Sequence, residues 1–114
     1  MSIVEDLVTT ARADVDLLGL RDRQGDMFAI PRPVDFIFLA ADERQASAVA
    51  GFLSDYRYAK TATTNANGEF RVVASISMAV EQPALLAVSG FMQCIASLFR
   101  VVYDGWGAPI VKGD

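Results

Sequence analysis

The sequence of 114 residues has ten basic and fourteen acidic side chains, a formal net charge of −4, no histidine and a single cysteine. A negative net charge disfavours contact with nucleic-acid phosphates, and without histidine neither histidine-based acid–base catalysis nor a histidine-containing zinc site is available. Cys94 alone cannot form an internal disulfide, and an apolar share of 53% is that of one globular domain.

The chain begins with the pattern of an amphipathic helix. Ser2 followed by Glu5 is a capping box, and the acids Glu5 and Asp6 stand where a secretory signal needs basic residues, so we expect a cytoplasmic protein. Gly19 predicts the end of this helix, and Arg21 to Asp26 predicts a loop. Apolar residues recur at helical spacing on one face of the helix: Val4, Leu7, Val8, Ala11, Val15 and Leu18.

The segment from Val34 to Leu39 is aromatic and β-branched, which predicts a first strand. Because its side chains are apolar on both faces, we expect both faces to be covered, the open one by the first helix or by a second copy of the chain. Asp42, followed three residues later by Gln45, predicts the start of a second helix that reaches about Asp55.

The second half of the chain predicts two strands, a helix and a last strand. An edge strand from Tyr56 to Thr63 leads through an Asn-Gly turn into a strand of alternating polarity from Phe70 to Met78. The segment from Pro83 to Phe99 carries no charge, but its length and three polar residues favour a helix buried in protein over a membrane span. Two of its apolar residues, Leu86 and Phe91, lie off its inner face and predict a further contact. The last strand is predicted at residues 101–103.

This order of elements predicts an α+β fold, a ferredoxin-like β-α-β-β-α-β sandwich with a four-stranded antiparallel sheet and an extra N-terminal helix. We assign the amphipathic helix and its loop to residues 1–30 and the ferredoxin-like domain to residues 31–114, as a single globular unit. The two most apolar strands, the first and the third, are the central ones in this topology. Local pattern and topology therefore agree.

No pattern in the sequence is typical of an enzyme or of a cofactor site. Gly105 and Gly107 follow a strand that has no helix after it, so they match neither a P-loop nor a dinucleotide-binding fingerprint. Cys94 has no partner base and is a poor candidate for a nucleophile. We therefore expect no catalytic residue, no cofactor and no metal site.

Acidic side chains are the candidates for contact with a basic protein partner. For each of them a solvated or structural role is the simpler interpretation: Asp14 and Asp16 fit a solvated helix face, and Asp42 and Glu43 fit a helix start, where acids interact well with the helix dipole. The candidate acids are Glu5, Asp6, Asp14, Asp16, Asp42, Glu43 and Asp104.

Trp106, the only tryptophan, follows a predicted turn at Asp104 and Gly105 near the end of the sequence. We favour a buried Trp106 that seals the end of the sheet, because a fixed segment beside the core of a small domain is a simple way to close that core. Protein interfaces are also enriched in tryptophan, so contact with a partner is the alternative.

Two stretches of the sequence resemble the RraB family of ribonuclease E regulators. They are "RPVDFIFLAADERQASAVAGFL" at residues 32–53 and "YDGWG" at residues 103–107, and the resemblance spans about residues 32–107. The sequence differs from the family pattern in two respects. It stops at Asp114 without the strongly acidic tail of the best-known members, and Asp55-Tyr56 stands where a Gly-Tyr is expected.

The resemblance implies a ferredoxin-like fold and a protein inhibitor that binds ribonuclease E, or a related endoribonuclease, and alters which RNAs are degraded. It marks Asp104 and Trp106 as part of the family's characteristic segment, and it implies a protein that performs no catalysis. From charge and composition we also expect no direct nucleic-acid binding and no membrane association. The alternative is an oligomeric or ligand-binding ferredoxin-like module unrelated to RNA decay, for instance a homodimer. Direct RNA binding through Phe36, Phe38 and Phe70 ranks third, because the chain is acidic.

Overall fold

The chain folds as a helix followed by a β-α-β-β-α-β sandwich, in a computed structural model that describes residues 2–113. The four strands form one antiparallel sheet in the order β2-β3-β1-β4, so β1 and β3 are central. This is the predicted ferredoxin-like α+β fold with its extra N-terminal helix. In chain order the elements are α1 (Ile3–Arg23), β1 (Arg32–Ala40), α2 (Glu43–Asp55), β2 (Lys60–Ala66), β3 (Glu69–Met78), α3 (Gln82–Phe99) and β4 (Val102–Gly107).

The core lies between one face of the sheet and the helices α2 and α3. Along β1 every second side chain is buried, and Phe36 and Phe38 are completely enclosed. The opposite face is not covered as predicted: Ile37 and Leu39 are half-buried there, and Val102 at the sheet edge is 61% exposed. The apolar pattern of β1 therefore overstated its burial, because one of its faces stays partly open.

Helix α1 packs along α3 and not across the open face of the sheet. The prediction that α1 covers this face is therefore wrong. Gly90 of α3 faces Leu7 of α1 at this contact, and a Cβ at position 90 would lie 3.8 Å from the Leu7 side chain, an ordinary van der Waals distance. The Thr10 hydroxyl also donates a hydrogen bond of 2.7 Å to the Gln93 side chain. Coverage of the open face by a second copy stays a prediction.

Helix α1 also continues past Gly19, where its end was predicted, and the predicted loop begins only at Gln24. Gly19 is exposed and has open space around it, so its cost is only the weak helix propensity of glycine, about 1 kcal/mol. The last turn is held by Arg21, whose guanidinium donates to the carbonyl oxygens of Ala108 and Pro109. This contact with the end of the chain outweighs the local stop signal.

The edge strand β2 begins at Lys60, four residues later than predicted. After α2 the chain passes through Arg57 with a φ of 59°, and the N–H groups of Tyr58 and Ala59 both donate to the carbonyl oxygen of Leu53. These bonds keep Tyr58 and Ala59 in a turn at the end of α2. Both residues were predicted in the strand, but in this turn they cannot pair with β3.

Helix α3 has a mean hydropathy of 1.4 over its 18 residues and is long and apolar enough to cross a membrane by length and composition alone. Here it contacts α1, α2, β1 and β4, and its inner side chains Leu85 and Met92 are completely buried. The further contact predicted for its other apolar residues exists: Leu86 packs against the core, and the ring of Phe91 lies 5.0 Å from that of Tyr58.

Strand β4 continues to Gly107, so the turn predicted after Tyr103 is wrong. Phe38 pairs with Tyr103 and Phe36 with Trp106, which leaves one extra residue in β4. At this β-bulge Gly105 has a φ of 87°, a conformation that glycine adopts without strain. The bulge places both aromatic side chains on the buried face, and the predicted burial of Trp106, 7% exposed, is confirmed.

Candidate functional site

The residues predicted for partner contact fall into two groups, and the first group is dispersed over the surface. Glu5 takes part in the capping box with Ser2, and Asp42 caps α2 by accepting the Gln45 N–H at 2.8 Å. These bonds give Glu5 and Asp42 a structural role within the chain itself. Contact with a partner protein stays a prediction for every member of the first group. Its members are exposed: Glu5, Asp16, Asp42 and Glu43.

The second group comes together in a cleft between α1, α3 and β4, which we call the α1–β4 cleft. Its volume is about 310 Å³. Helix α1 contributes one wall, Gln93 of α3 another, and the β-bulge of β4 the third. The cleft thus joins acids that lie about 90 positions apart in the sequence. The side chains used below are Asp6, Thr10, Asp14, Gln93, Tyr103 and Asp104.

Asp14 is the link between this cleft and Trp106. The indole Nε1–H of Trp106 donates a hydrogen bond of 3.1 Å to Oδ1 of Asp14, and Asp14 is only 4% exposed. The expectation that Asp14 lies on a solvated helix face is therefore wrong. A buried tryptophan N–H needs an acceptor, and Asp14 supplies it. A signal was present in the sequence, because Asp14 is in helical phase with Leu7, Ala11 and Leu18 on the apolar stripe of α1.

The second carboxylate oxygen of Asp14, Oδ2, is buried and makes no hydrogen bond of ordinary length and angle with the residues that the structure describes, although the Ser89 side chain lies near enough to act on the carboxyl group. The neighbouring Ser89 hydroxyl is paired with the Tyr103 hydroxyl at 2.8 Å. Burial raises the pKa of Asp14, and hydrogen bonding from the side chains of Ser89 and Trp106 opposes this increase only in part. Burial likewise raises the pKa of Tyr103, and the charge of Asp14 adds to that effect.

Replacing Asp14 with Asn is expected to raise the midpoint of thermal unfolding by a few degrees at pH 7. A carboxyl whose folded-state pKa lies above its unfolded value binds a proton more readily when folded, so stability falls as pH rises from 3.8 through the raised pKa. Asn carries no charge at any pH of interest, and its side-chain oxygen can still accept the hydrogen bond from the indole of Trp106. The advantage of Asp14→Asn should therefore disappear below about pH 4.

Thermal unfolding followed by circular dichroism at pH 7 and pH 3.5 checks this prediction. Asp16→Asn is the matched control, because Asp16 is exposed on the same helix and the structure gives its charge no hydrogen-bonded partner to lose. A destabilised Asp14→Asn at pH 7 would contradict the prediction and would mean that the carboxylate is stabilised where it lies.

A buried ionic cluster lies beside Trp106, and sequence reasoning missed it. Asp26 accepts from Arg21 Nε at 3.0 Å and from Arg32 Nη1, and its side chain is 0% exposed. Arg21 and Arg32 also donate to the carbonyl oxygen of Pro109, and Arg21 lies 5.2 Å from the ring centre of Trp106. The cluster therefore fixes the end of α1, the start of β1 and the segment after β4 relative to one another.

Metal binding does not explain the acids. The part of the chain that the structure describes contains no group of three or more histidine, cysteine, aspartate or glutamate residues placed to hold one metal ion. The acids Asp6, Asp14 and Asp104 line one cleft without forming such a group, and their negative charge attracts a cationic group of a partner. Recognition of such a group is the chemistry that this arrangement favours.

In a comparison with protein families, the model of RraB, described as regulator of ribonuclease activity B, matches residues 12–108. No curated protein matches the chain. The matched range runs from the middle of α1 through the end of β4 and includes Asp14, Tyr103 and Asp104 of the cleft, together with Trp106, which is hydrogen-bonded to Asp14. Since most of the chain is matched, the protein belongs to the RraB family of regulators of ribonuclease activity.

Proposed function

We propose that this protein is a cytoplasmic inhibitor of ribonuclease E, or of a related endoribonuclease, and that it acts by protein contact and thereby modulates RNA decay. Membership of a family named for regulation of ribonuclease activity supports the proposal. The observation that carries it is the α1–β4 cleft, in which the "YDGWG" segment of β4 meets the acids of α1. In this role the chain binds the nuclease and performs no chemical step itself.

Charge favours the nuclease over its RNA as the partner. The protein has a net charge of −4, and the acids Asp6, Asp14 and Asp104 line the cleft. Such a surface attracts a basic protein segment and repels phosphates. Phe36 and Phe38, which could have stacked on bases, are completely buried in the core and cannot reach RNA.

The proposal is tested by the cleavage of a labelled RNA by purified ribonuclease E from the same source, with increasing amounts of this protein. We expect cleavage to slow as the protein is added. Asp104→Lys should weaken this inhibition about tenfold or more, since it reverses an exposed charge of the cleft. Asp55→Lys is the matched control, because it makes the same charge change at an exposed position on α2 and should inhibit like the unchanged protein.

A second control mixes the labelled RNA with this protein in the absence of nuclease. No RNA binding in that mixture, together with slower cleavage, supports inhibition through the nuclease. RNA binding would instead make protection of the substrate the cause of slower cleavage. Unchanged cleavage at a high excess of protein would contradict the proposal.

The alternative, an oligomeric or ligand-binding module unrelated to RNA decay, is favoured by the partly open face of the sheet. Ile37 and Leu39 are half-buried on that face, and Val102 is 61% exposed, so a second copy could cover them as a homodimer. The cleavage assay separates the two functions, because a module unrelated to RNA decay leaves the nuclease unaffected.

A further inference from the structure

The face of the sheet that points away from α2 and α3, the open face of the sheet, carries a band of apolar side chains. Ala62, Val73 and Ile37 lie directly opposite one another on β2, β3 and β1, and Leu39 pairs with Val102 in the next row along the strands. Val102 is 61% exposed, and the others are half-buried or exposed. Continuous apolar surface on a small protein is typical of an interaction site.

Two hydrogen bonds show which side chains point to this face. The Thr61 hydroxyl donates to the carbonyl oxygen of Ala50 in α2, so Thr61 faces the helices and the neighbouring Lys60 points the other way. The Ser75 hydroxyl donates to the carboxylate of Asp35, and Ser75 is the direct strand partner of both Lys60 and Asp35. Lys60, Ser75 and Asp35 therefore form one row across the open face, on β2, β3 and β1.

The charges of the open face are divided between its two sides. Lys60 of β2 and Arg71 of β3 lie on one side, whereas Asp35 of β1 lies on the other, with the exposed Asp104 beyond it in β4. Glu69, at the start of β3, lies beside the turn at the rim. None of these groups forms an ion pair within residues 2–113. One side of the face is thus mainly basic and the other acidic, and neither is neutralised inside the described chain.

A two-fold contact of this face with a second copy of the chain brings the opposite charges together. If the axis runs parallel to the strands, between β1 and β3, then β1 of one copy lies over β3 of the other. The row of Lys60, Ser75 and Asp35 is reversed in the second copy, so each Lys60 comes beside an Asp35 across the contact. Ile37 comes over Val73 in the same way. The contact therefore pairs unlike charges twice and apolar side chains at its centre.

The size of the face is sufficient for such a contact. Four strands at their usual spacing make a face of about 19 Å by about 25 Å, which is roughly 500 Å². Two such faces remove about 1,000 Å² from water, the lower limit for a specific interface. A basic segment of another protein fits less well, because Asp35 would attract it while Lys60 and Arg71 on the same face would repel it.

We propose that the open face of the sheet is the interface of a homodimer, with the apolar band at its centre and Lys60 of each copy beside Asp35 of the other. A dimer is compatible with inhibition of a nuclease and with the alternative function. The inference therefore does not rest on the proposed function, and it can be tested without any nuclease.

Sedimentation velocity of the full-length protein over a range of concentrations measures the association. We expect a monomer–dimer equilibrium that shifts to dimer as the concentration rises. Asp35→Lys and Lys60→Glu should each raise the dissociation constant of the dimer about tenfold or more, because each makes both charge pairs repulsive. Asp55→Lys and Arg44→Glu are the matched controls, since both positions are exposed on α2 away from the open face, and both variants should dimerise like the unchanged protein.

An equimolar mixture of Asp35→Lys and Lys60→Glu is the decisive sample. In a mixed dimer each lysine again lies beside an acid, so the mixture should dimerise at concentrations at which each variant alone is monomeric. Because the mixture contains the same two chains, its dimer also shows that both variants are folded. A change that merely damaged the sheet would not be rescued in this way.

The inference is overturned by a monomer at every concentration up to about 1 mM, by a dimer that neither charge variant weakens, or by a mixture that associates no better than its components. A monomer that loses inhibition of ribonuclease E with Asp35→Lys would also overturn it and would assign the open face to the nuclease. Dimer formation without inhibition would overturn the proposed function alone. Inhibition by a strictly monomeric protein would overturn the homodimer alone.

Discussion

Replacing Asp26 with Asn is expected to lower the free energy of unfolding by about 3–5 kcal/mol, a large part of the stability of a domain of this size. The carboxylate is fully buried and is the only acid that neutralises Arg21 and Arg32 within residues 2–113. Asn keeps nearly the same volume but no charge, so two buried guanidinium groups would remain without an anion. Breaking such a cluster is destabilising because the remaining charges cannot regain their hydration.

The effect of Asp26 should depend on pH. Burial alone would raise the pKa of Asp26, but hydrogen bonding and charge from Arg32, with further bonds from Val111 and Arg21, hold it below its ordinary value. Since the folded-state pKa is lowered, the stabilisation is fully present above the unfolded value of 3.8 and is lost as pH falls through the folded pKa. The difference in free energy of unfolding between the unchanged protein and Asp26→Asn should therefore become smaller below about pH 4.

Urea unfolding at pH 7 and at two values below pH 4 measures both effects. Asp22→Asn is the matched control, because Asp22 is exposed in the last turn of α1 and makes none of these bonds. Two outcomes would show that the cluster does not stabilise the fold through its charge. One is that Asp26→Asn loses no more stability than Asp22→Asn at pH 7, and the other is that the difference between Asp26→Asn and the unchanged protein does not vary with pH.

The features that could be predicted from the sequence are those set by neighbouring residues. The Ser2–Glu5 capping box, the Asp42 cap and the alternation of Phe70 to Met78 each depend on positions within a few residues, and each is present. The order of the elements then limits the topology to few possibilities. The predicted sandwich is confirmed because these local signals agree with one another.

The features that were missed depend on contacts between distant positions. Arg21 was predicted in a loop because its anchors, the carbonyl oxygens of Ala108 and Pro109, lie 87 and 88 positions away. The partnership of Asp14 and Trp106 spans 92 positions and needs the bulge at Gly105, which looks like a turn in the sequence. Helical phase could have indicated that Asp14 is buried, but its donor could not have been inferred without the register of β4.

Replacing Trp106 with Ala is expected to lower the free energy of unfolding by about 3–5 kcal/mol and the melting temperature by roughly 10 °C or more. The indole is 7% exposed, lies beside Phe36 in the sheet and packs under the guanidinium of Arg21. Its removal leaves a cavity at the end of the core. It also removes the hydrogen bond from the indole N–H to Asp14 Oδ1, so the buried carboxylate loses a donor.

Trp106→Phe reduces the first effect and keeps the second, because it leaves one aromatic ring in the core but removes the N–H together with the second ring of the indole. It should lower stability less than Trp106→Ala, by about 1–3 kcal/mol, since the cavity is smaller while the hydrogen bond to Asp14 is still lost. The loss of stability caused by Trp106→Phe should be smaller in an Asp14→Asn background, because Asn carries no charge that needs the N–H. The double-mutant cycle of these two substitutions measures the coupling between Trp106 and Asp14. Thermal unfolding followed by circular dichroism provides all of these values. An unchanged melting curve for Trp106→Ala, together with lost inhibition of ribonuclease E, would reverse the assignment and make Trp106 a contact residue.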